Sequence, residues 1–222
     1  MDNKKLAGEK AVEYVTDGMF LGLGTGSTVY WTILKLAELV KRGLDIKGVP
    51  TSKNTEKLAK ELGIPLVSLS SINHLDLTID GADEVNPNLE LIKGGGGALL
   101  REKMVASISE SLIIIIDESK YVTNLGEFPL PVEIVQFGWE ITSNQISRLG
   151  CNPKLRIKDN SPFITDNGNY ILDCYFEKIQ DAYKLNGTLN MIPGVVENGL
   201  FVNMADTIVI GNKNATIDIS HK

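Results

Sequence analysis

The chain has 222 residues, 43% hydrophobic and 23% charged, with a formal net charge of −6. That is enough for one large domain or a medium domain with a small companion, and the ordinary composition excludes wholesale disorder. The acidic balance argues against the broad basic face of a non-specific nucleic-acid binder, and no apolar run approaches the roughly 20 residues that span a bilayer.

The start, Met1-Asp2-Asn3-Lys4-Lys5, leads into Gly8, Glu9 and Lys10 and carries no signal-peptide core. Ala7 to Val15 has helical spacing, and Met19 to Leu23 is a short apolar run closed by glycines. Val29 to Lys41 reads as a helix through Trp31, Leu34, Leu36, Leu39 and Val40, with Gly43 as its stop. Ile46 to Val49 is a second strand, and Thr55 to Leu62 a helix with Gly63 just past its end. Leu75 to Asp80, Leu89 to Ile92 and Ile113 to Ile116 follow as strands. The four isoleucines of the last suit a strand buried on both faces of a parallel sheet. Thr207 to Ile210 reads the same way. Strands alternating with helices imply an α/β fold, a doubly wound, mostly parallel Rossmann-like sheet.

The stretch 128–202 has a different texture. Phe128-Pro129-Leu130-Pro131 reads as a stiff connector, Ile164 to Leu172 as a hairpin with Asn167-Gly168 at its turn, and Asp181 to Leu189 as a helix. We assign 1–127 plus 203–222 to a large catalytic domain and 128–202 to a small inserted α+β domain. Cys151 and Cys174 are too few and unpatterned for a disulfide framework or zinc site and are read as reduced thiols, so a cytoplasmic chain is expected.

In such folds ligands bind beyond the carboxyl ends of the strands, where the polar clusters of this chain lie. Gly22-Leu23-Gly24-Thr25-Gly26-Ser27-Thr28 lies between a strand and a helix, where free N–H groups favour a phosphate. Ser27 replaces the third glycine of a dinucleotide fingerprint, and the Gly-Lys-Ser/Thr ending of a P-loop is missing. Asp80-Gly81-Ala82-Asp83-Glu84 places three carboxylates at a strand end, open to a helix cap, a magnesium site or sugar-hydroxyl binding. Lys93-Gly94-Gly95-Gly96-Gly97 joins a cation to a run of glycines whose entropic cost implies close approach to something. In the helix that follows, Glu102 is the first-turn side chain best placed to face inwards, and Lys120 ends Asp117-Glu118-Ser119-Lys120 as a phosphate ligand or a surface lysine. With only His74 and His221, Ser-His or multi-histidine chemistry is poorly supplied.

Together these segments resemble ribose-5-phosphate isomerase, type A. The resemblance rests on Gly22 to Thr28, Asp80 to Glu84, Leu91 to Lys103 and Asp117 to Lys120, with Phe128 to Glu133, Thr165 to Asn169 and Ile192 to Val196 in support. It implies an aldose–ketose isomerase interconverting ribose 5-phosphate and ribulose 5-phosphate without cofactor or metal, as a homodimer or homotetramer. Its catalytic set would be Glu102 as general base with Asp80, Asp83 and Lys93. Thr25, Gly26, Ser27, Thr28, Gly81, Ala82, Gly94, Gly95, Gly96 and Lys120, with Lys4 near the N-terminus, would hold the sugar phosphate. Two influences on Glu102 oppose each other: the helix N-terminus favours its ionised form and a water-poor site its neutral form, with desolvation by the bound sugar expected to prevail. The small domain contributes none of the motif residues and is read as an assembly surface. Sugar-phosphate deaminases, coenzyme A transferases and a non-enzymatic sugar-phosphate sensor are the competing classes. The sensor reading lacks a basic helix-turn-helix segment.

Overall fold

Ile113 to Ile116 lie inside the strand Leu112–Asp117, whose first five residues are buried. In the computed structural model, which describes residues 2–214 and 217–221, this strand has parallel neighbours on both sides, Leu77–Gly81 and Thr207–Gly211. A run with no polar face needs cover above and below, which a parallel sheet under helices supplies. The sheet has six strands in the order Ile217–His221, Thr207–Gly211, Leu112–Asp117, Leu77–Gly81, Phe20–Leu23, Lys47–Pro50. Every pairing is parallel except that of Ile217–His221, an antiparallel edge strand the sequence reading did not include.

Helix Val29–Lys41 buries Val29, Thr32, Ile33, Leu36 and Ala37, a single stripe at helical spacing. Helix Lys53–Leu62 starts on Ser52, whose hydroxyl accepts from the Thr55 N–H, and ends on Gly63 in the left-handed region at φ 81°. The first helix begins earlier than its apolar spacing suggests, at Asn3–Ala11, because Asp2 caps it. It packs on Val29–Lys41 and on strands Leu112–Asp117 and Thr207–Gly211. Ala7, Leu21, Ile33, Ile79, Ile115 and Val209 share one core.

The chain forms two units: Met1–Ala82, Arg101–Tyr121 and Met204–Lys222 make the first, Asp83–Leu100 and Val122–Asn203 the second. The sequence reading drew the division at 127/128 and 202/203, and the structure moves Asp83–Leu100 across it. The reason is a small antiparallel sheet. Glu84–Val85 pairs with Leu91–Ile92, and Leu91–Ile92 with Leu200–Phe201. Strands of two residues leave no periodicity to read. Residues 1, 215, 216 and 222, which the sequence reading placed in the large domain, lie outside the described residues.

Within the second unit a four-stranded antiparallel sheet runs in the order Val195–Asn198, Leu130–Ile134, Tyr170–Tyr175, Asn152–Leu155. The expected connector at Phe128 to Pro131 thus leads into an interior strand, in which the Pro131 carbonyl accepts from the Gly199 N–H at 2.8 Å. Thr165 to Asn169 does form a tight turn, with Gly168 N–H donating to Thr165 O at 3.0 Å. It does not close a hairpin, because Tyr170–Tyr175 pairs with Leu130–Ile134 and Asn152–Leu155 instead. Buried Glu133 draws the turn onto the sheet: its Oε1 accepts from the Thr165 hydroxyl at 2.8 Å and the Asn169 amide at 2.9 Å. Helix Ala182–Asn190 starts on the Asp181 cap, which accepts from the Lys184 N–H.

Candidate active site

In the first unit, the loop after Phe20–Leu23 is anchored on the neighbouring strand, with Gly24 N–H donating to Ile79 O at 3.0 Å. A Cβ on Gly24 would lie 2.6 Å from the Asp80 Cα, so no other residue passes there. Asp80 is 1% exposed, and its Oδ1 accepts from the Thr25 N–H at 3.0 Å and the Gly81 N–H at 2.7 Å. Charge-assisted bonds of this kind let a carboxylate stay buried.

The Thr25 hydroxyl meets those of Thr51, Ser52 and Thr55 at 2.8, 2.9 and 3.1 Å. The Thr51 and Thr55 hydroxyls donate onward to Leu23 O and Gly24 O. Sequence reasoning missed these three residues; their one signal was a Thr-Ser pair directly after the strand Lys47–Pro50. Gly26 adopts φ 124° with open space around it, and exposed Ser27 accepts from Lys4 Nζ at 3.0 Å. Thr28 is buried and starts the helix without a side-chain cap bond. Lys4 therefore reaches the loop through Ser27.

Glu102 lies in the first turn of helix Leu99–Ser107 and is 4% exposed, while Arg101 and Lys103 are half-buried. Lys120 closes the short turn Glu118–Lys120 that follows Leu112–Asp117, half-buried beside an Asp117 that accepts from the Ser119 N–H. Gly81 and Ala82, both half-buried, end the first of that unit's three segments.

In the second unit, half-buried Asp83 accepts from the Gly95 N–H through Oδ2 at 2.7 Å. Lys93 is 2% exposed, with its Nζ 5.3 Å from the centre of the Phe201 ring. An aromatic face compensates part of the cost of burying an ammonium group. The glycine run turns sharply, with Gly94 at φ 103°, Gly97 at φ 80° and the Gly97 N–H on Gly94 O at 2.9 Å. A Cβ on Gly95 would lie 2.5 Å from Asp83 Oδ1, and one on Gly97 2.5 Å from the Phe163 ring. Gly95 and Gly96 are exposed.

Glu84 faces elsewhere, accepting from the Gly126 N–H at 2.7 Å and from the Phe128 N–H. Burial pushes its pKa above the usual glutamate value, against the two backbone bonds that pull it down. The three carboxylates from Asp80 to Glu84 are thus turned onto three separate sets of backbone donors. Among the described residues no group of three His, Cys, Asp or Glu side chains could hold a metal ion.

The expected site residues divide between the units. Lys4, Thr25 to Thr28, Asp80 to Ala82, Glu102 and Lys120 belong to the first; Asp83, Lys93 and Gly94 to Gly96 belong to the second. This corrects the expectation that the smaller domain carries none of them. Arg156 and Asp173, which bind each other beside the glycine run, were also missed, and no local pattern marks them.

The family model for ribose 5-phosphate isomerase A (phosphoriboisomerase A) matches residues 47–215. The ribose-5-phosphate isomerase A of Bacillus mycoides is 61% identical over 215 residues, 96% of this chain and 97% of that protein. That of Listeria monocytogenes is 49% identical over 223 residues, with all of both chains covered. Among solved structures, ribose 5-phosphate isomerase from Plasmodium falciparum has a TM-score of 0.96 at 45% identity, covering 99% of this chain and 98% of that one. A D-ribose-5-phosphate isomerase in complex with phospho-erythronic acid has a TM-score of 0.97 at 40% identity, with both chains fully covered.

Proposed function

The chain belongs to the ribose 5-phosphate isomerase A family, and we propose that Glu102 is the single group that moves the proton in its reaction. The protein is an aldose–ketose isomerase that interconverts D-ribose 5-phosphate and D-ribulose 5-phosphate. The observation that carries the residue assignment is the burial of Glu102 in the first helical turn after the glycine run, between two half-buried cations in sequence.

The chemistry asks for few parts. In the open-chain aldose the Glu102 carboxylate takes the proton from C2, and the electron pair moves into an enediolate spread over C1, C2 and their oxygens. The same carboxyl returns the proton to C1, while a hydroxyl proton passes from O2 to O1, and the ketose results. Lys93 stabilises the enediolate oxygen: a buried ammonium is preorganised charge that needs no rearrangement as the oxyanion develops. Asp80 and Asp83 bind sugar hydroxyls and move the proton to the ring oxygen that opens the furanose. Thr25 to Thr28, Gly81, Ala82, Gly94 to Gly96, Lys120 and Lys4 hold the phosphate and hydroxyl groups. These assignments are supported by the burial of Asp80, Lys93 and Glu102 and by the rigid support of both glycine loops.

Conversion assays on wild type and Glu102→Gln test this reading. We expect wild-type turnover to resist EDTA, and the variant to lose about 10²–10⁴-fold in kcat, the usual worth of a positioned acid–base group, while still binding phospho-erythronic acid. That acid carries a carboxylate where the enediolate carries two oxygens. A glutamine variant with wild-type kcat would remove Glu102 from the mechanism.

We also propose a homodimer or homotetramer that assembles through the second unit. Phe137, 95% exposed, and the exposed Ile141, Tyr183 and Met191 support this, and a single species of monomer mass in analytical ultracentrifugation would oppose it. A cytoplasmic location suits the two free thiols.

A further inference from the structure

Arg156 is a residue that neither the sequence reading nor the reaction scheme uses, yet it is one of the best-satisfied cations in the second unit. Its Nε and Nη2 donate to the two carboxylate oxygens of Asp173 in a side-on fork, with both side chains largely buried. Its backbone is fixed as well, with the Arg156 N–H on Ile171 O and the Phe163 N–H on Arg156 O, both at 2.8 Å. The remaining arm of the fork, Nη1, projects onto the glycine run. It donates to Gly94 O at 2.9 Å and to Gly95 O at 3.2 Å.

Peptide planarity turns those two bonds into an orientation. In a trans peptide the C=O of one residue and the N–H of the next point in opposite directions, and no cis bond occurs among the described residues. The Gly94–Gly95 peptide is held at both ends, its oxygen by Arg156 and its N–H by Asp83 Oδ2 at 2.7 Å. The Gly95 oxygen turns to the same guanidinium, so the Gly96 N–H is aimed to the side away from Arg156, the side on which Asp83 lies. Of these two successive N–H groups, that of Gly95 is taken by Asp83, and that of Gly96 remains to meet an oxygen of a ligand. Glycines have no side chains to hold such a conformation, and their backbone entropy works against it.

We propose that Arg156 is a positioning residue for the isomerisation: locked on Asp173, it holds the Gly94 and Gly95 carbonyls so that the Gly96 N–H is presented to an oxygen of the sugar phosphate. Lysine cannot replace it, because one ammonium group cannot form the fork with Asp173 and reach two carbonyls as well. The inference rests on the reading that the glycine run contacts substrate.

The test combines kinetics with amide hydrogen exchange. In Arg156→Lys we expect KM for ribose 5-phosphate to rise about tenfold with kcat within about threefold, the loss of a donor used in ground and transition states alike. Exchange at residues 95–97 speeds up in the free variant, and the melting temperature stays near that of wild type. Asp173→Asn, which keeps the arginine but weakens its lock, shifts KM in the same direction by less, and it carries the test should the lysine variant not fold. In wild type, phospho-erythronic acid slows exchange at the same amides. Loop protection in wild type together with unchanged KM in both variants would overturn the role of Arg156 and leave the loop reading standing. No protection of the loop in wild type would overturn that reading, and this proposal with it.

Discussion

The protein holds two glycine loops rigid by different means. In the first unit, Gly24 to Thr28 is held by the uncharged hydroxyls of Thr51, Ser52 and Thr55, with the buried Asp80 carboxylate receiving the Thr25 N–H. In the second, the run from Gly94 is gripped by charge on both sides, Asp83 on an N–H and Arg156 on two carbonyls. The first loop is confined by backbone, since the Asp80 Cα itself closes the space beside Gly24. The second is confined by side-chain tips. A parallel sheet places the ends of neighbouring strands side by side, so its loops brace one another; a run of glycines outside that sheet needs long side chains sent from elsewhere.

The two loops differ most in what their glycines tolerate. Gly24→Ala drives a methyl group into backbone that cannot retreat. It should cost about 1–3 kcal/mol of stability as overpacking and at least about 10²-fold in kcat/KM through misplacement of Asp80 and Thr25. Gly95→Ala meets only the Asp83 carboxylate, which can swing aside, so about a tenfold loss, equivalent to about 1.4 kcal/mol, is expected with little change in melting temperature. Equal damage in urea melts and steady-state rates would mean that the two loops are confined alike.

A smaller effect sharpens the contrast. Thr55→Val keeps shape but removes the hydroxyl that donates to Gly24 O, and should cost about 1 kcal/mol, since the Thr25 hydroxyl keeps Thr51 and Ser52. The loss should not respond to salt, because the hydroxyl carries no charge, and melts at low and high ionic strength check this.

The smallest expected effect concerns Glu84, which serves neither loop. Its pKa is raised in the folded state, so the folded protein takes up that proton more readily than the unfolded chain. Stability from this group is full below the ordinary glutamate pKa and is lost as pH rises through the raised value. Glu84→Gln should therefore flatten the stability profile above about pH 4, measured by denaturant titration against wild type. An identical pH slope in the variant would show that Glu84 does not titrate there.

Much of this was legible from local pattern. The isoleucine strand, the helix from Val29 to Lys41 and the cap on Gly63 are written in periodicities of a few residues, and the structure has each of them. The two glycine loops and the carboxylates of Asp80 to Glu84 were visible because such residues are costly wherever they are not needed. The inward face of Glu102 could be read from helical spacing alone, and it is buried.

Other features depended on partners remote in sequence. The strand through Pro131 looked like a connector because prolines on both sides of Leu130 mask the strand signal until Tyr170–Tyr175 and Val195–Asn198 pair with it. Asp83 to Leu100 joined the second unit through two-residue strands, too short for any period. Arg156 lies 62 residues from the Gly94 carbonyl it binds, and Thr25 lies 30 from Thr55. Sequence alone therefore determined the alternation of elements and the chemical groups at the strand ends, because these follow from spacing and composition. What holds those groups still came from the fold, because a hydrogen bond between distant segments has no local signature: it exists once the chain has folded and burial has made each unpaired polar group costly.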